Sequence, residues 1–273
     1  MKEYLSMSTA SRVTIRESFD LPSRGKFPGV PAKITLRAMS LLDERQRLAS
    51  NSINGIIDLI GNCIVDPDSV NPYDMPRFDI DYAMMKLRVI SHGSNYNAEV
   101  VCPYCGSVNK EVIDLDKIPC NYVDDDFEPE FEVGPLPVSG DILKIKILTF
   151  SDVNKIEAEA KRVLQKFPDY EGDPTDVLNY IYKIQQVNGE KIPYTQLKSY
   201  IESMPASDSI YLDQVYDEAL GRYGLDTRIQ FTCDKCKETF MRSMPMNDEF
   251  FRPKFNIEKR SNVQTVPVST NTK

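Results

Sequence analysis

The sequence predicts an α+β fold: a zinc-ribbon-like β core, helices N-terminal to it, and a four-helix insertion between two cysteine knuckles. Three observations predict it. Two Cys-x-x-Cys pairs, Cys102-Pro-Tyr-Cys105 and Cys233-Asp-Lys-Cys236, each lie between short runs with strand character. Apolar residues recur at helical spacing ahead of the first pair. They do so again over residues 151–223, between the pairs.

The elements follow in order. Residues 1–23 are polar and rich in Ser and Thr, and residues 1–32 are expected to form an extended or partly disordered N-terminal arm. Lys33–Ala38 alternates in character and predicts a short strand. Ser40 stands where an N-cap belongs, with Asp43 and Glu44 in the first turn of a helix running through Leu48. Ile53, Ile56, Ile57, Ile60 and Ile64 repeat at helical spacing and predict a second helix whose stripe packs into the core. Asp66–Pro76 reads as a turn-rich loop. Its prolines and the missing terminal Glu speak against a calcium loop. Asp79–Ile90 predicts a helix that leads into Ser91-His92-Gly93-Ser94 and the first cysteine pair.

Each pair sits in a strand–turn–strand unit. Asn97–Val101 precedes the first pair and Val108–Leu115 follows it; Asp226–Thr232 and Glu238–Met244 flank the second. A redox Cys-x-x-Cys wants a long helix after it, and neither pair is followed by one. Gly106 suits a turn position of positive φ. Cys102, Cys105, Cys233 and Cys236 therefore read as ligands of one structural zinc per chain, two thiolates from each tight turn making a tetrahedral site. Four thiolates close the site and leave no position for a reactive water, so the metal acts as a staple. Nearly half the chain lies between the pairs. Structural zinc contributes on the order of 10–16 kcal/mol of apparent binding energy in small peptides, comparable with the stability of a whole domain, about 5–15 kcal/mol. Disulfide or redox pairs and unmetallated thiols remain the alternatives. Cys63 and Cys120 read as small buried apolar residues.

Residues 122–137 carry Asp124, Asp125, Asp126, Glu128, Glu130 and Glu132 among prolines. Without a spacing that orients them, these acids predict a solvated loop that suits a basic partner surface. Asp141–Thr149 alternates, with Leu143, Ile145 and Ile147 on one side, and predicts a strand with one buried face. Ser151-Asp152 starts a helix carrying Ile156, Ala160, Val163, Leu164 and Phe167. Asp173-Pro174 opens a second with Val177, Leu178, Ile181 and Ile184. Pro193 begins a third, through Met204, and Ser207 a fourth, through Tyr223. Phe250-Phe251 either dock into a neighbouring groove or subunit, or cap the local core. The expected organisation is an arm over 1–32, a core over 33–149 plus 225–256, a helical insertion over 150–224 and a disordered tail over 257–273.

Composition narrows the function. A hydrophobic fraction of 41% supports a substantial core. A net charge of −8 and an isoelectric point near 4.9 argue against a general nucleic-acid surface. No apolar run approaches the roughly 20 residues of a membrane helix, and the N-terminus shows no basic-then-apolar secretory pattern. Free thiols fit a reducing cytosol. The single histidine, His92, reads as a helix C-terminal residue beside Gly93. No Gly-x-Ser-x-Gly, His-Glu-x-x-His, Walker-type or Gly-x-Gly-x-x-Gly motif occurs. No catalytic or organic-cofactor residue is expected, and the chain does not read as an enzyme.

The pattern Asp79-x-x-x-Ala83-x-x-x-Leu87-Arg88 runs through Ser91-x-Gly93 to a Cys-Pro-x-Cys-Gly knuckle. A second Cys-x-x-Cys follows a helical stretch, and the sequence then reaches Phe250-Phe251-Arg252-Pro253. This pattern resembles the T4-like bacteriophage baseplate hub family over most of residues 33–255, most strongly across Leu87–Gly106. The resemblance implies a non-catalytic component or assembly factor of the central hub of a contractile tail. It implies other baseplate or tail proteins as partners, in multiple copies, and a location in the virion tail or in the host cytoplasm during assembly. Two competing readings remain. A zinc-ribbon nucleic-acid or transcription accessory protein would use Lys110, Lys235, Lys237 and Arg242, which Asp114, Asp116 and Asp234 dilute. A redox protein would use the cysteine pairs themselves.

Overall fold

A computed structural model describes residues 15–49, 53–65, 70–244 and 250–251. The expectations for residues 1–14, Asp66–Ser69, Arg252-Pro253 and the tail 257–273 fall outside the described residues. The chain combines helices with small antiparallel sheets, an α+β fold.

Strand β1 (Arg16–Asp20) pairs antiparallel with β2 (Lys33–Arg37), setting Phe19 against Ile34. The described residues of the segment expected as an arm form β1 and then bury Leu21, Phe27 and Val30 in the main core. Alternation in Arg-Glu-Ser-Phe-Asp rests on one apolar residue, too little to announce the strand. Helix α1 (Leu41–Ala49) starts behind Ser40. The Ser40 N–H and hydroxyl donate to the Asp43 carboxylate, and the Asp43 N–H donates back to the Ser40 hydroxyl. Arg37 grips the same carboxylate with two bonds, at 2.7 and 3.0 Å. Helix α2 (Ile53–Cys63) buries Ile57, Leu59, Ile60 and Cys63, while Ile53 at its first position stays exposed. Helix α3 (Arg77–His92) lies deepest, with Ala83 and Leu87 fully buried.

Two hairpins follow the periodicity closely. Strand β3 (Asn95–Val101) pairs with β4 (Val108–Asp114), and β10 (Arg228–Thr232) pairs with β11 (Thr239–Ser243). Between them, β5 (Cys120–Asn121) pairs with β9 (Gly224–Leu225), so Asn121 and Gly224 stand side by side where the chain leaves and re-enters. Gly224 has φ of +84°, and a Cβ there would lie 2.7 Å from the Phe78 Cβ of α3. Only glycine fits this close crossing.

The intervening chain builds a sheet in the order β6 (Glu130–Val133), β7 (Leu143–Lys146), β8 (Ile184–Val187), with helices α4 (Phe150–Lys166), α5 (Pro174–Lys183), α6 (Tyr194–Glu202) and α7 (Ala206–Gly221). A second core gathers here, including Val133, Leu143, Ile145, Ile184, Leu212 and Tyr216. Two sequence expectations are corrected. Part of the expected acidic loop is the edge strand β6: Val133 turns inward, while Glu130 faces out against Lys144 at 3.1 Å. The outward acids hid the strand. Ile184 does not prolong helix α5 but begins β8, where it pairs with Ile145. Non-local pairing overrides the helical period there.

Candidate metal centre

Two hairpin turns carry the four cysteines, and the turns share one backbone design. In the first, the Cys102 N–H donates to the Ser107 carbonyl at 2.9 Å, and the Gly106 N–H donates to the Cys102 carbonyl at 3.0 Å. In the second, the Cys233 N–H donates to the Glu238 carbonyl and the Lys237 N–H to the Cys233 carbonyl, both at 2.9 Å. The fifth residue of each turn is left-handed: Gly106 has φ of +70° and Lys237 of +63°. Such a turn brings the two thiols of a Cys-x-x-Cys to the same side.

The turns face each other. All four Sγ atoms lie within 4.8 Å of one another. Cys102 meets Cys236 at 3.7 Å and Cys105 meets Cys233 at 3.6 Å. Four sulfurs held about 2.3 Å from a shared zinc would stand about 3.8 Å apart. A disulfide needs about 2.05 Å. The observed spacing fits a tetrahedral metal site and joins the hairpins crosswise rather than within a pair. Cys102 and Cys233 are buried, Cys236 half-buried and Cys105 exposed.

Neighbouring groups complete the site. The Ser107 hydroxyl lies 3.1 Å from both Cys105 Sγ and Cys233 Sγ. Asn109 is buried on β4. Its Nδ2 donates to the carbonyls of Val100 and Ser107, each at 3.3 Å, and its Oδ1 accepts the Asp234 N–H at 2.8 Å. These contacts tie the first hairpin to the second knuckle. The Cys233 thiol is held below its ordinary range by the Cys236 N–H and the Ser107 hydroxyl. Cys105 is lowered mainly by Ser107. Cys236 goes the other way: the Glu238 amide pulls it down, but burial and the three neighbouring thiols outweigh it. Thiols crowded this way resist joint ionisation until a cation enters. Ser107 and Asn109 carry no sequence motif, and only the fold shows their role.

The remaining sequence candidates sit elsewhere. Cys63 and Cys120 are raised by burial to about 12 and about 11, which leaves them unreactive. His92 ends α3, and Gly93 caps it by donating to the Val89 carbonyl at 2.8 Å. Burial, and then Arg88, lower the His92 pKa. The residues of the helix pattern ahead of the knuckle are structural. Arg88, fully buried, donates to the Gly93 carbonyl at 2.7 Å and the Asn95 carbonyl at 3.2 Å, fastening the turn between α3 and β3. The Ser91 hydroxyl accepts the Met39 N–H at 2.9 Å. Phe250 packs edge-on against Tyr96 and Phe251 with centroids at 5.4 and 5.0 Å, and both phenylalanines are buried in the main core. Of the two readings of this pair, core capping is what the fold shows.

The sequence matches the family of T4 bacteriophage base plate proteins over residues 13–252. The chain belongs to this family. The match spans both hairpins, the helices between them and the Phe250-Phe251 cap. No curated protein and no solved structure matches the chain. Membership supports a structural role in the phage base plate, among other tail or base plate proteins. Among the described residues no helix is long and apolar enough to cross a membrane.

Proposed function

We propose that this base plate protein is a non-catalytic component or assembly factor of the hub of a contractile tail, folded around one zinc held by Cys102, Cys105, Cys233 and Cys236. The observation that carries the metal reading is the crosswise approach of four sulfurs at tetrahedral spacing from two turns far apart in sequence. In this reading the metal closes the zinc-ribbon core, residues 33–149 plus 225–256, across the insertion. The β5–β9 pair then forms a second clasp at the base of the excursion. The insertion, expected over 150–224, brings its four helices onto the β6–β7–β8 sheet and a core of their own. A unit with its own core, tied back at both ends, suits contact with neighbouring subunits in multiple copies.

Ion pairs weaken the nucleic-acid alternative. Of the four basic residues that this alternative would use, Lys110 is engaged by Glu99 at 3.5 Å, and the neighbouring Arg228 is engaged by Asp226 at 2.9 Å. The redox alternative would pair cysteines within each Cys-x-x-Cys, whereas the short approaches here run between them.

Native mass spectrometry before and after chelation tests the metal. The expected result is one zinc per chain, lost together with compactness, and the same loss in Cys102→Ser and Cys236→Ser. A compact chain with no metal and four alkylatable thiols would overturn the zinc reading. Co-sedimentation with base plate intermediates tests the hub role separately; a folded, metal-loaded chain that joins none of them would overturn it.

A further inference from the structure

The four thiols of the metal centre are not equally reachable. Cys105 is exposed, Cys236 is half-buried, and Cys102 and Cys233 are buried. An oxidant arriving from solvent therefore meets the Cys105 sulfur first. Facing that sulfur, at 3.6 Å, is Cys233 of the other hairpin. The Ser107 hydroxyl stands 3.1 Å from both sulfurs, so one polar group bridges this pair. The other two sulfurs, Cys102 and Cys236, also face each other across the hairpins, at 3.7 Å. Each sulfur thus has a partner on the opposite hairpin. A disulfide at about 2.05 Å asks these partners to close by roughly 1.6 Å, a displacement within reach of side-chain rotation. Cys63 and Cys120 stand outside the four-sulfur group.

We propose that the centre is a redox-convertible staple: a peroxide acting on the metal-loaded chain couples Cys105 to Cys233 and then Cys102 to Cys236, so that two covalent bonds between the hairpins replace the metal. The inference rests on the zinc reading above for its starting state. A base plate protein is made in a reducing cytosol, where disulfides are rare, and is carried out of it in a particle, where they persist. A site that is closed by metal in the first setting and by disulfides in the second holds the two hairpins together in both. Each new bond also closes a long loop of chain, which restricts the unfolded state.

The chemistry balances. The Cys105 sulfur attacks one oxygen of the peroxide and breaks the O–O bond. It becomes a sulfenic acid, and the other oxygen leaves as water after taking up a proton. The Cys233 sulfur then attacks the sulfenic sulfur. The S–S bond forms, the S–O bond breaks, and the hydroxyl leaves as a second water with another proton from solvent. Two electrons pass from the two sulfurs to one peroxide. The same steps at Cys102 and Cys236 use a second peroxide. Four thiolates, two peroxides and four protons give two disulfides and four waters, and no thiolate is left to hold the Zn²⁺, which departs unchanged in charge.

Titration of the full-length, zinc-loaded chain with hydrogen peroxide tests this. Remaining thiols are alkylated, bonds are mapped by non-reducing peptide mass spectrometry, and a chromophoric chelator reads released zinc. With one peroxide per chain, the expected bond is Cys105–Cys233, in at least tenfold excess over Cys102–Cys105 and Cys233–Cys236. With more peroxide Cys102–Cys236 joins it, the zinc is released, and Cys63 and Cys120 are recovered as thiols. The oxidised chain should stay compact under chelation, and a thiol reductant should restore zinc binding. Bonds within either Cys-x-x-Cys, bonds between chains, or sulfinic and sulfonic acids in place of disulfides each overturn the proposal. So does a Cys102–Cys236 bond that forms first. Zinc content of the reduced chain is read separately. A chain without zinc overturns the metal reading and this inference with it, whereas a zinc-loaded chain that forms the wrong bonds overturns this inference alone.

Discussion

The side-chain oxygen of Asn109, on the first hairpin, accepts the backbone N–H of Asp234, inside the second knuckle, at 2.8 Å. The same amide donates to Val100 and Ser107, so one buried side chain spans both turns that present the cysteines. Asn109→Ala removes the acceptor of the Asp234 N–H and takes one donor each from the Val100 and Ser107 carbonyls. The expected loss is about 2–3 kcal/mol of stability, with faster removal of metal by a chelator. Denaturant midpoints together with chelation kinetics check it. Unchanged values in both would show that the cysteines alone set the knuckle geometry.

The two turns differ at one left-handed residue, Gly106 against Lys237. A side chain in that conformation costs about 1 kcal/mol. A Cβ on Gly106 would meet nothing within 4 Å, so strain rather than collision decides the effect there. Lys237→Gly is expected to stabilise the chain by up to about 1 kcal/mol and Gly106→Ala to destabilise it by a similar amount. Thermal unfolding of the metal-loaded protein resolves both signs.

These positions show which parts of the structure are legible in sequence. Strand–turn–strand around each cysteine pair follows from local alternation and turn chemistry, and the fold brings the two pairs together at metal spacing. The buried faces of α2, α3 and β7 likewise follow from period. What escapes is set by distant partners. Arg16–Asp20 becomes a strand because β2 lies beside it, Glu130–Val133 because β7 does, and Ile184 leaves its helix to pair with Ile145. Asn109 and Ser107 are ordinary residues until the second hairpin arrives opposite the first.

Two buried carboxylates give opposite pH dependences. Asp43 is held down to about 2, chiefly by the Arg37 guanidinium and the Ser40 donors. Its contribution of about 2 kcal/mol is complete above pH about 4 and is lost as pH falls from there toward 2. Asp79 is pushed up to about 7 by burial. Its Oδ1 accepts the Ser23 N–H at 2.9 Å, while its Oδ2 and the Ser23 hydroxyl have no partner. The folded state keeps a proton that the unfolded chain releases near pH 4, so stability falls by about 4 kcal/mol between pH 4 and pH 7 and is level above. Asp43→Asn should cost about 2 kcal/mol at pH 7 and nothing near pH 2. Asp79→Asn should abolish the decline between pH 4 and 7. Urea midpoints across this range separate the two, and a wild-type curve that rises from pH 4 to 7 would contradict the Asp79 assignment.

Arg88 tests why the segment before the first knuckle has its form. Its guanidinium is buried against the Gly93 and Asn95 carbonyls, and it lowers the pKa of His92. Arg88→Met keeps the bulk of the side chain but leaves both carbonyls unpaired where α3 hands over to β3. The expected cost is about 2–3 kcal/mol. Removing the cation should also move His92 upward, toward the ordinary histidine value of about 6.5. The chain has one histidine, so its imidazole resonance titrates without overlap. A stability loss with no shift in that titration would mean that burial, without Arg88, accounts for the lowered His92 pKa. A shift with no stability loss would mean that the α3–β3 turn stands without its arginine.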